Sequence, residues 1–165
     1  MRNDVMYGPP GRAYVYFTYG NHWMLNVVTE PEGFPAAVLI RALEPAIGQD
    51  IMRHRRPVTR DRDLTNGPGK LTSALGITGA DNGADLRKSR LFITRSVDPP
   101  AAVGRSGRVG VSEGGDVLWR FFDSENPWVS LYREGTPTSR RHRAVANSAA
   151  ERRTSKKGRE GRGRE

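Results

Sequence analysis

Apolar and polar side chains alternate along two neighbouring stretches near the start of the chain, and this pattern predicts a β-hairpin. Over residues 12–18, Tyr14 and Tyr16 fall on one side while Ala, Val and Phe residues fall on the other. Residues 22–28 alternate in the same manner. Gly20-Asn21, between the two stretches, suits a two-residue turn that needs positive φ.

The apolar run at residues 36–43 predicts a third strand, which completes a three-stranded meander. Pro31-Glu32-Gly33 breaks the alternation before it. A short helix is expected over roughly 46–56, opened by Pro45 and stopped by Pro57, with a charged loop at 57–66. Further elements are predicted as a helix at 71–75 that ends at Gly76, strands at 91–95, 107–112 and 117–122, and a core that closes at 126–131.

The charge of the chain is concentrated in its last thirty residues. The net charge is +9, but residues 136–165 hold ten Lys or Arg and three Glu, whereas residues 1–135 carry only +2. The excess favours a polyanionic partner, nucleic acid first and a membrane surface second, although the balanced remainder makes this a weak argument. Because residues 136–165 have almost no large apolar side chain, we expect a disordered basic tail after a domain at 1–135.

Composition also excludes several classes of site. The chain has no Cys, so disulfides and thiolate metal centres are ruled out. Its three histidines lack metal-ligand spacing, and no nucleophile elbow is present, so neither a metal nor a serine nucleophile is expected. There is no apolar run long enough for a membrane span and no signal segment, which predicts a soluble intracellular protein.

Three tyrosines surround the predicted hairpin turn. Tyrosine is common in strands, so sheet packing explains Tyr14 as well as any other role does. Tyr19 differs, because a hairpin tip has little core to fill and an exposed ring there could wedge between stacked bases. Tyr16, just inside the tip, could stack on an extruded base.

Two polar residues interrupt the apolar strands, and a glycine-rich turn follows. Burying Asn26 or Arg41 without partners costs a few kcal/mol, so each forms a structural hydrogen bond or lines a pocket beside Tyr16. Gly67-Pro68-Gly69-Lys70 resembles half of a phosphate loop, although Leu64 stands where a Walker motif has glycine. Lys70 could grip a DNA phosphate, and structural capping of the helix is equally consistent.

Taken together, these segments resemble the alkyladenine DNA glycosylase family, the 3-methyladenine DNA glycosylases of the mammalian type. The resemblance covers residues 2–130, and its matching segments occur in the expected order. They are Arg-Asn-Asp-Val-Met-Tyr-Gly-Pro-Pro-Gly (2–11), Ala-Tyr-Val-Tyr-Phe-Thr-Tyr-Gly (13–20), Asn-Val-Val (26–28), Val-Leu-Ile-Arg-Ala-Leu-Glu-Pro (38–45), Asn-Gly-Pro-Gly-Lys-Leu-Thr-Ser-Ala-Leu-Gly-Ile (66–77), Asn-Gly-Ala-Asp-Leu (82–86), Arg-Val-Gly-Val (108–111), Trp-Arg-Phe (119–121) and Asn-Pro-Trp-Val-Ser (126–130).

The resemblance implies a role for each matched site residue. Tyr19 would fill the gap left by a flipped nucleotide, and Tyr16 would stack on the flipped base. Asn26 would sit where the 2-amino group of a normal guanine collides. Arg41 and the backbone of Val111 would hold the catalytic water. Lys70 would contact a DNA phosphate.

The implied reaction is hydrolysis of the bond between an alkylated or deaminated purine, such as 3-methyladenine or hypoxanthine, and its sugar in duplex DNA. It needs no metal, cofactor or Schiff base, and a glutamate acts as general base. The family carries that glutamate in a Glu-Ala-Tyr-type motif upstream of the Arg-Asn segment, and this chain begins at Arg-Asn. Neither Glu44 nor Glu125 stands in that setting.

Two explanations for the missing motif compete: the sequence is a fragment with an incorrect start, or it is a truncated protein in its own right. Either way, we expect DNA binding with little turnover, and a non-enzymatic binder of distorted duplex is the alternative. A structural RNA-associated basic protein is disfavoured, because its charge would be spread over the fold.

The pattern and the resemblance together predict an α+β fold: one domain with a curved, mainly antiparallel sheet, a protruding β-hairpin and flanking short helices. The expected partner is double-stranded DNA that contains a damaged purine, bound by a monomer. No membrane contact is expected, and the expected location is the cytoplasm, at the nucleoid.

Overall fold

The computed structural model describes residues 3–18, 20–96, 98–100, 102–111 and 114–130, and its mixture of helices and antiparallel strands confirms the α+β class. The strands are β1 (Ala13–Thr18), β2 (His22–Val28), β3 (Ala37–Leu39), β4 (Val103–Ser106) and β5 (Arg120–Asp123). The helices are α1 (Gln49–Arg55) and α2 (Pro68–Leu75), with short 3-10 turns at Asp4–Tyr7, Asp61–Asp63 and Gly79–Asp81.

The chain divides into two units, which are described separately. The first contains Met1–Gly104 and Phe122–Leu131, and the second contains Arg105–Phe121 and Tyr132–Glu165. The predicted boundary between a domain at 1–135 and a tail at 136–165 lies outside the described residues and stays a prediction. Within the described residues, no helix is long and apolar enough to cross a lipid bilayer.

Strands β1, β2 and β3 form the predicted antiparallel meander in that order. The hairpin loop differs from the prediction, because Thr18 pairs with His22 and three residues rather than two connect the strands. Gly20 does adopt the expected positive φ, +72°. The third strand is shorter than predicted, although Ile40 extends the pairing through its N–H to the carbonyl of Leu25 (3.0 Å).

One face of the meander carries the main hydrophobic core of the first unit. Ala13, Val15 and Leu25 are buried there against Ile77 and Leu86. Side chains at alternate strand positions point the same way, so the pattern seen in the sequence selects this face. The partly buried side chains that surround the cluster are Trp23, Val27, Ile40, Leu75, Ala84 and Leu91.

Helix α2 is attached to the hairpin by a hydrogen bond and close packing. The buried hydroxyl of Thr72 donates to the carbonyl of Trp23 (2.8 Å). A Cβ added at Gly69 would lie 2.8 Å from the His22 ring, and one added at Gly79 would lie 2.7 Å from the Trp23 ring. Only glycine allows the hairpin to approach this closely.

A second, smaller core joins the two helices of the first unit. Met52, Leu64 and Ala74 are buried together, and Trp128 packs against them with Val58 and Leu75. The predicted closure of the core near 126–131 is therefore confirmed at Trp128. Leu131 lies outside the described residues.

Both helix boundaries differ from the prediction. α1 begins at Gln49, after Gly48 in a left-handed conformation (φ +83°), so Pro45 precedes the helix rather than opening it. α2 begins earlier than predicted, with Pro68 in its first turn, where the missing N–H of proline costs no hydrogen bond. It ends at Gly76 (φ +67°), as predicted.

Of the three later strands that were predicted, the last overlaps a strand of the described residues and the first two do not. No strand forms at 91–95: Leu91 packs on the core, and a bond from the Ile93 N–H to the Leu86 carbonyl (2.8 Å) holds the segment. The strand predicted at 107–112 lies instead at 103–106, and residue 112 is outside the described residues. The strand predicted at 117–122 lies at 120–123, so this prediction was correct for 120–122.

The outer edge of β1 is covered by residues 82–86. The Ala13 N–H donates to the Ala84 carbonyl (2.9 Å), and the Gly83 N–H returns a bond to the Ala13 carbonyl (2.8 Å). The Val15 N–H donates to the side-chain oxygen of Asn82 (2.9 Å). These bonds satisfy backbone groups that an edge strand would otherwise expose.

Candidate nucleic-acid interface

The meander brings two of the predicted site residues, Tyr16 and Asn26, to one face of the sheet. Tyr14, Asn26 and Leu39 form one row across the strands, and Tyr16 pairs with Met24 in the next row. This face, which we call the tyrosine face, lies opposite the hydrophobic core. Arg41 follows two residues after the end of β3.

Asn26 is buried on the tyrosine face, as the sequence predicted. It is 6% exposed, and its side-chain amide donates to the carbonyl of Tyr14 (3.1 Å). The structural hydrogen bond weighed for this residue is therefore present. It fixes the orientation of the amide, which a residue that discriminates between bases would also require.

Tyr14 and Tyr16 contact each other along β1. Their ring centroids lie 5.2 Å apart at an interplanar angle of 31°. Tyr14 is buried, so sheet packing accounts for it, whereas Tyr16 keeps part of its surface exposed. The Tyr14 ring thus supports one side of the Tyr16 ring, and the stacking role of Tyr16 stays a prediction.

The proposed wedge, Tyr19, lies outside the described residues, and its role stays a prediction. Its neighbours Gly20 and Asn21 are exposed. The Asn21 N–H donates to the Thr18 carbonyl (3.3 Å), a bond between the two ends of the connection from β1 to β2.

Lys70 is held by neighbours on its own segment. Its ammonium group donates to the side-chain oxygen of Asn66 (2.7 Å) and lies 3.4 Å from the carboxylate of Asp63. A hydrogen bond from Asn66 and then one from Arg60 hold the pKa of Asp63 below its ordinary value. Lys70 therefore has a local structural role, and its phosphate contact stays a prediction.

The two residues expected to hold water have different surroundings. Arg41 is half-buried. Val111 belongs to the second unit, where its side chain is exposed, and the expected role of its backbone stays a prediction. Within the described residues, no three His, Cys, Asp or Glu side chains come together as a metal site would require.

A cleft that the sequence reasoning missed lies between the hairpin end and the two helices. Its volume is about 480 Å³. Two arginines at the end of α1, Arg55 and Arg56, contribute its positive charge, and the run Met-Arg-His-Arg-Arg was the signal available in the sequence. The other lining residues are Phe17, Asn21, His22, Trp23, Gly69, Thr72, Ser73, Gly76, Ile77 and Thr78.

Backbone carbonyls hold the two arginines of the cleft. Arg55 donates to the Ala74 carbonyl (3.1 Å), and Arg56 donates to the carbonyls of Leu64 (3.1 Å) and Asp63 (3.2 Å). Across the described residues, no carboxylate forms an ion pair with either guanidinium. Fixed positive charge without a carboxylate partner attracts anions such as phosphate.

Comparison with known proteins gives a consistent result over most of the chain. A model of the methylpurine-DNA glycosylase family matches residues 1–127. Three bacterial proteins that share the name "Putative 3-methyladenine DNA glycosylase" are similar in sequence. The protein from Chlorobaculum tepidum is 43% identical over 148 residues, that from Rhodopseudomonas palustris 53% over 129 residues, and that from Burkholderia cenocepacia 48% over 133 residues.

These matches cover more of this chain than of the relatives. The Chlorobaculum match spans 89% of this chain and 71% of the relative. The Rhodopseudomonas match spans 78% and 62%, and the Burkholderia match spans 78% and 64%. The chain therefore corresponds to about two thirds of the length of these relatives.

Proposed function

Since the chain belongs to the methylpurine-DNA glycosylase family, we propose that it recognises damaged purines in duplex DNA as part of base-excision repair. The expected lesions are alkylated or deaminated purines, with 3-methyladenine and hypoxanthine as representatives. We also expect it to act as a monomer at the nucleoid, where its substrate lies.

The arrangement on the tyrosine face is the observation that carries this proposal. Tyr16 offers a partly exposed ring whose other side rests on Tyr14. Many alkylated purines are cationic, and the electron-rich face of a tyrosine ring attracts cations. The fixed amide of Asn26 would collide with the 2-amino group of guanine, which rejects the normal base.

The hairpin and the cleft beside it provide the contacts expected for opening a duplex. Tyr19 at the tip would enter the base stack and replace the extruded nucleotide. The cleft that contains Arg55 and Arg56 would receive a backbone phosphate next to the intercalated step, with Lys70 at the start of α2 as a further phosphate contact.

The hydrolytic step depends on a general base that has no counterpart in this sequence. Arg41 would help to hold the attacking water, but the 165 residues contain no Glu-Ala-Tyr segment. General-base assistance contributes about 10²- to 10⁴-fold to rate. We therefore propose that these 165 residues by themselves bind lesion DNA and turn it over slowly.

A direct test is single-turnover release of hypoxanthine from a duplex by the purified 165-residue chain, measured beside its affinity for that duplex. We expect preferential binding to the lesion with base release close to the uncatalysed rate. Rapid release would contradict the slow-turnover proposal, whereas equal affinity for damaged and undamaged duplex would contradict the family function for this chain.

The wedge can be tested with two tyrosine variants. Tyr19→Ala should reduce the preference for lesion duplex about tenfold, because an intercalated ring contributes on the order of 1–3 kcal/mol. Tyr7→Ala, at an exposed tyrosine near the N-terminus, is the matched control and should leave this preference unchanged. An unchanged preference in Tyr19→Ala would remove this residue from the interface.

A further inference from the structure

The cleft between the hairpin end and the two helices lies on the opposite side of the hairpin from the tyrosine face. Phe17 pairs with Trp23 across β1 and β2, and both line the cleft. They lie on the same side of the hairpin as Val15 and Leu25, which are buried in the main core. Because side chains alternate along a strand, Tyr16 points the other way. A ligand in this cleft is therefore separate from a base held on the tyrosine face.

The two arginines of the cleft keep hydrogen-bond donors for a ligand. Arg55 donates to the carbonyl of Ala74, and Arg56 donates to the carbonyls of Leu64 and Asp63. A guanidinium has more N–H groups than these bonds use, and the bonds hold both side chains in place before a ligand arrives. Among the described residues that line the cleft there is no Asp or Glu. The cleft therefore offers two positioned cations to an anion.

The cleft is also larger than a phosphate group requires, and one of its walls is aromatic. Its volume of about 480 Å³ is in the range of sites that hold a small organic molecule. The ring of Phe17 is 42% exposed, and its centroid lies 4.8 Å from that of the Trp23 ring. A partly exposed ring that rests against a second ring provides a surface on which a nucleobase can stack.

We propose that this cleft binds a nucleotide through a terminal phosphate, which is a monoester. A phosphate monoester carries a charge of about −1.5 to −2 at pH 7, whereas a backbone phosphate of DNA carries a single negative charge. The two arginines match the more highly charged group, and the base stacks on Phe17. Free mononucleotides and phosphorylated ends of DNA strands share this chemistry. The inference rests on the phosphate-binding role proposed above for the cleft, and it names the class of phosphate that binds there best.

The first test is calorimetric titration of the full chain with thymidine 5′-monophosphate and with the methyl ester of the same phosphate. The two ligands have the same base and sugar, but the ester has less negative charge. The monophosphate should bind about tenfold more tightly, because hydrogen bonds from a guanidinium strengthen with the charge of the acceptor. Equal affinity for the two ligands would overturn the proposal.

A pair of arginine variants on α1 tests the position of the phosphate. Arg55→Gln should weaken binding of the monophosphate about tenfold or more, as expected for the loss of a hydrogen bond to a charged group. Arg53→Gln removes the same charge from the same helix, at an arginine already paired with Asp50 and Asp61, and should leave the affinity unchanged. No loss in Arg55→Gln, or an equal loss in both variants, would overturn the site.

Phe17→Leu tests stacking and keeps an apolar side chain at the edge of the core. It should weaken binding of thymidine 5′-monophosphate about fivefold or more, the loss expected without a stacking ring, and leave the affinity for inorganic phosphate unchanged. Phe34→Leu, at a ring that is 63% exposed elsewhere in the first unit, should affect neither ligand. If Phe17→Leu weakens both ligands equally, or neither, the nucleotide assignment is wrong.

Two nicked duplexes that differ only in a 5′-phosphate or a 5′-hydroxyl at the nick distinguish the two sources of the ligand. Tighter binding to the phosphorylated nick identifies a strand end, whereas mononucleotide binding without this difference identifies a free nucleotide. Failure of both assays would overturn the proposal. Because neither assay contains a damaged purine, the result is independent of lesion preference. A chain that binds the mononucleotide but does not prefer a hypoxanthine duplex would contradict only the function proposed above.

Discussion

At the scale of single residues, Asn26 has the structural hydrogen bond that the sequence offered as one of two alternatives, and its place in a pocket beside Tyr16 stays a prediction. Its amide holds the Tyr14 carbonyl, which stabilises the hairpin, and the same bond fixes the amide on the tyrosine face. Burial without this bond would cost a few kcal/mol, so the hydrogen bond allows a polar side chain to be placed there. A residue fixed in this way can reject a ligand by steric collision.

Asn26→Ala should therefore change both stability and recognition. Loss of the hydrogen bond should lower the free energy of unfolding by about 1 kcal/mol, measured by chemical denaturation. The preference for a hypoxanthine duplex over the matching guanine duplex should also decrease. Asn82→Ala removes a comparable bond to the Val15 N–H and should affect only stability. If both variants had the same preference for the hypoxanthine duplex over the guanine duplex, the role of Asn26 would be contradicted.

At the scale of elements, the contact between α2 and the hairpin determines where the hairpin end lies. Thr72 holds the Trp23 carbonyl, and Gly69 allows the His22 ring to lie against the helix. The glycine that looked like part of a phosphate loop in the sequence thus also has a packing role. The end of the hairpin therefore depends on a helix that follows it by more than forty residues in the chain.

Gly69→Ala tests this contact. Alanine favours a helix over glycine by roughly 0.5–1 kcal/mol, but the added Cβ would lie 2.8 Å from the His22 ring, and overpacking costs about 1–3 kcal/mol. We expect a net loss of about 1 kcal/mol in the free energy of unfolding. Gly115→Ala, whose Cβ would meet no atom of the described residues closer than the Arg108 carbonyl oxygen at 3.8 Å, should change it by less than about 0.5 kcal/mol.

The sequence predicted elements best where a local pattern determines them. Alternation identified β1 and β2, and a glycine identified the end of α2. In the structure this residue, Gly76, has the positive φ that favours glycine at a helix end. Strand β4 was misplaced and β5 was predicted with the wrong bounds, because their positions depend on pairing between distant segments, which short alternation does not specify. The cleft was missed for a related reason, since Arg55 and Trp23 meet only after the helices pack on the hairpin.

At the scale of the whole molecule, ion pairs hold the loop that follows α2. Asp85 is buried and receives two bonds from the guanidinium of Arg87, at 2.9 Å each. The carboxylate of Asp81, which is also buried, lies 2.6 Å from a guanidinium nitrogen of Arg90. It also accepts a hydrogen bond from the Thr78 N–H (2.9 Å). These contacts fix the segment that covers the edge of β1.

The pKa of Asp85 predicts how stability depends on pH. Hydrogen bonds from the side chain and then the backbone N–H of Arg87 hold this pKa far below its ordinary value. The stabilising contribution is complete above the unfolded-state pKa near 4 and is lost as the pH falls toward the folded-state value. Asp85→Asn should therefore lower the urea midpoint at pH 7, and the difference from the native chain should narrow between pH 4 and pH 2.

The matched control for this titration is Asp50→Asn, at an exposed carboxylate on α1 that pairs with Arg53. Exposed ion pairs contribute little, so the control should stay close to the native chain across the same pH range. A difference for Asp85→Asn that stays constant down to pH 2 would contradict the role assigned to this carboxylate.

The covering of β1 by residues 82–86 also bears on how the protein behaves at high concentration. A bare strand edge is a template on which a second chain can add its own strand, and repeated addition leads to fibrils. In this meander the hydrogen bonds of Ala13 and Val15 are already used within the molecule. At the opposite side of the meander, the edge strand β3 is only three residues long, and a very short edge offers little template for such growth.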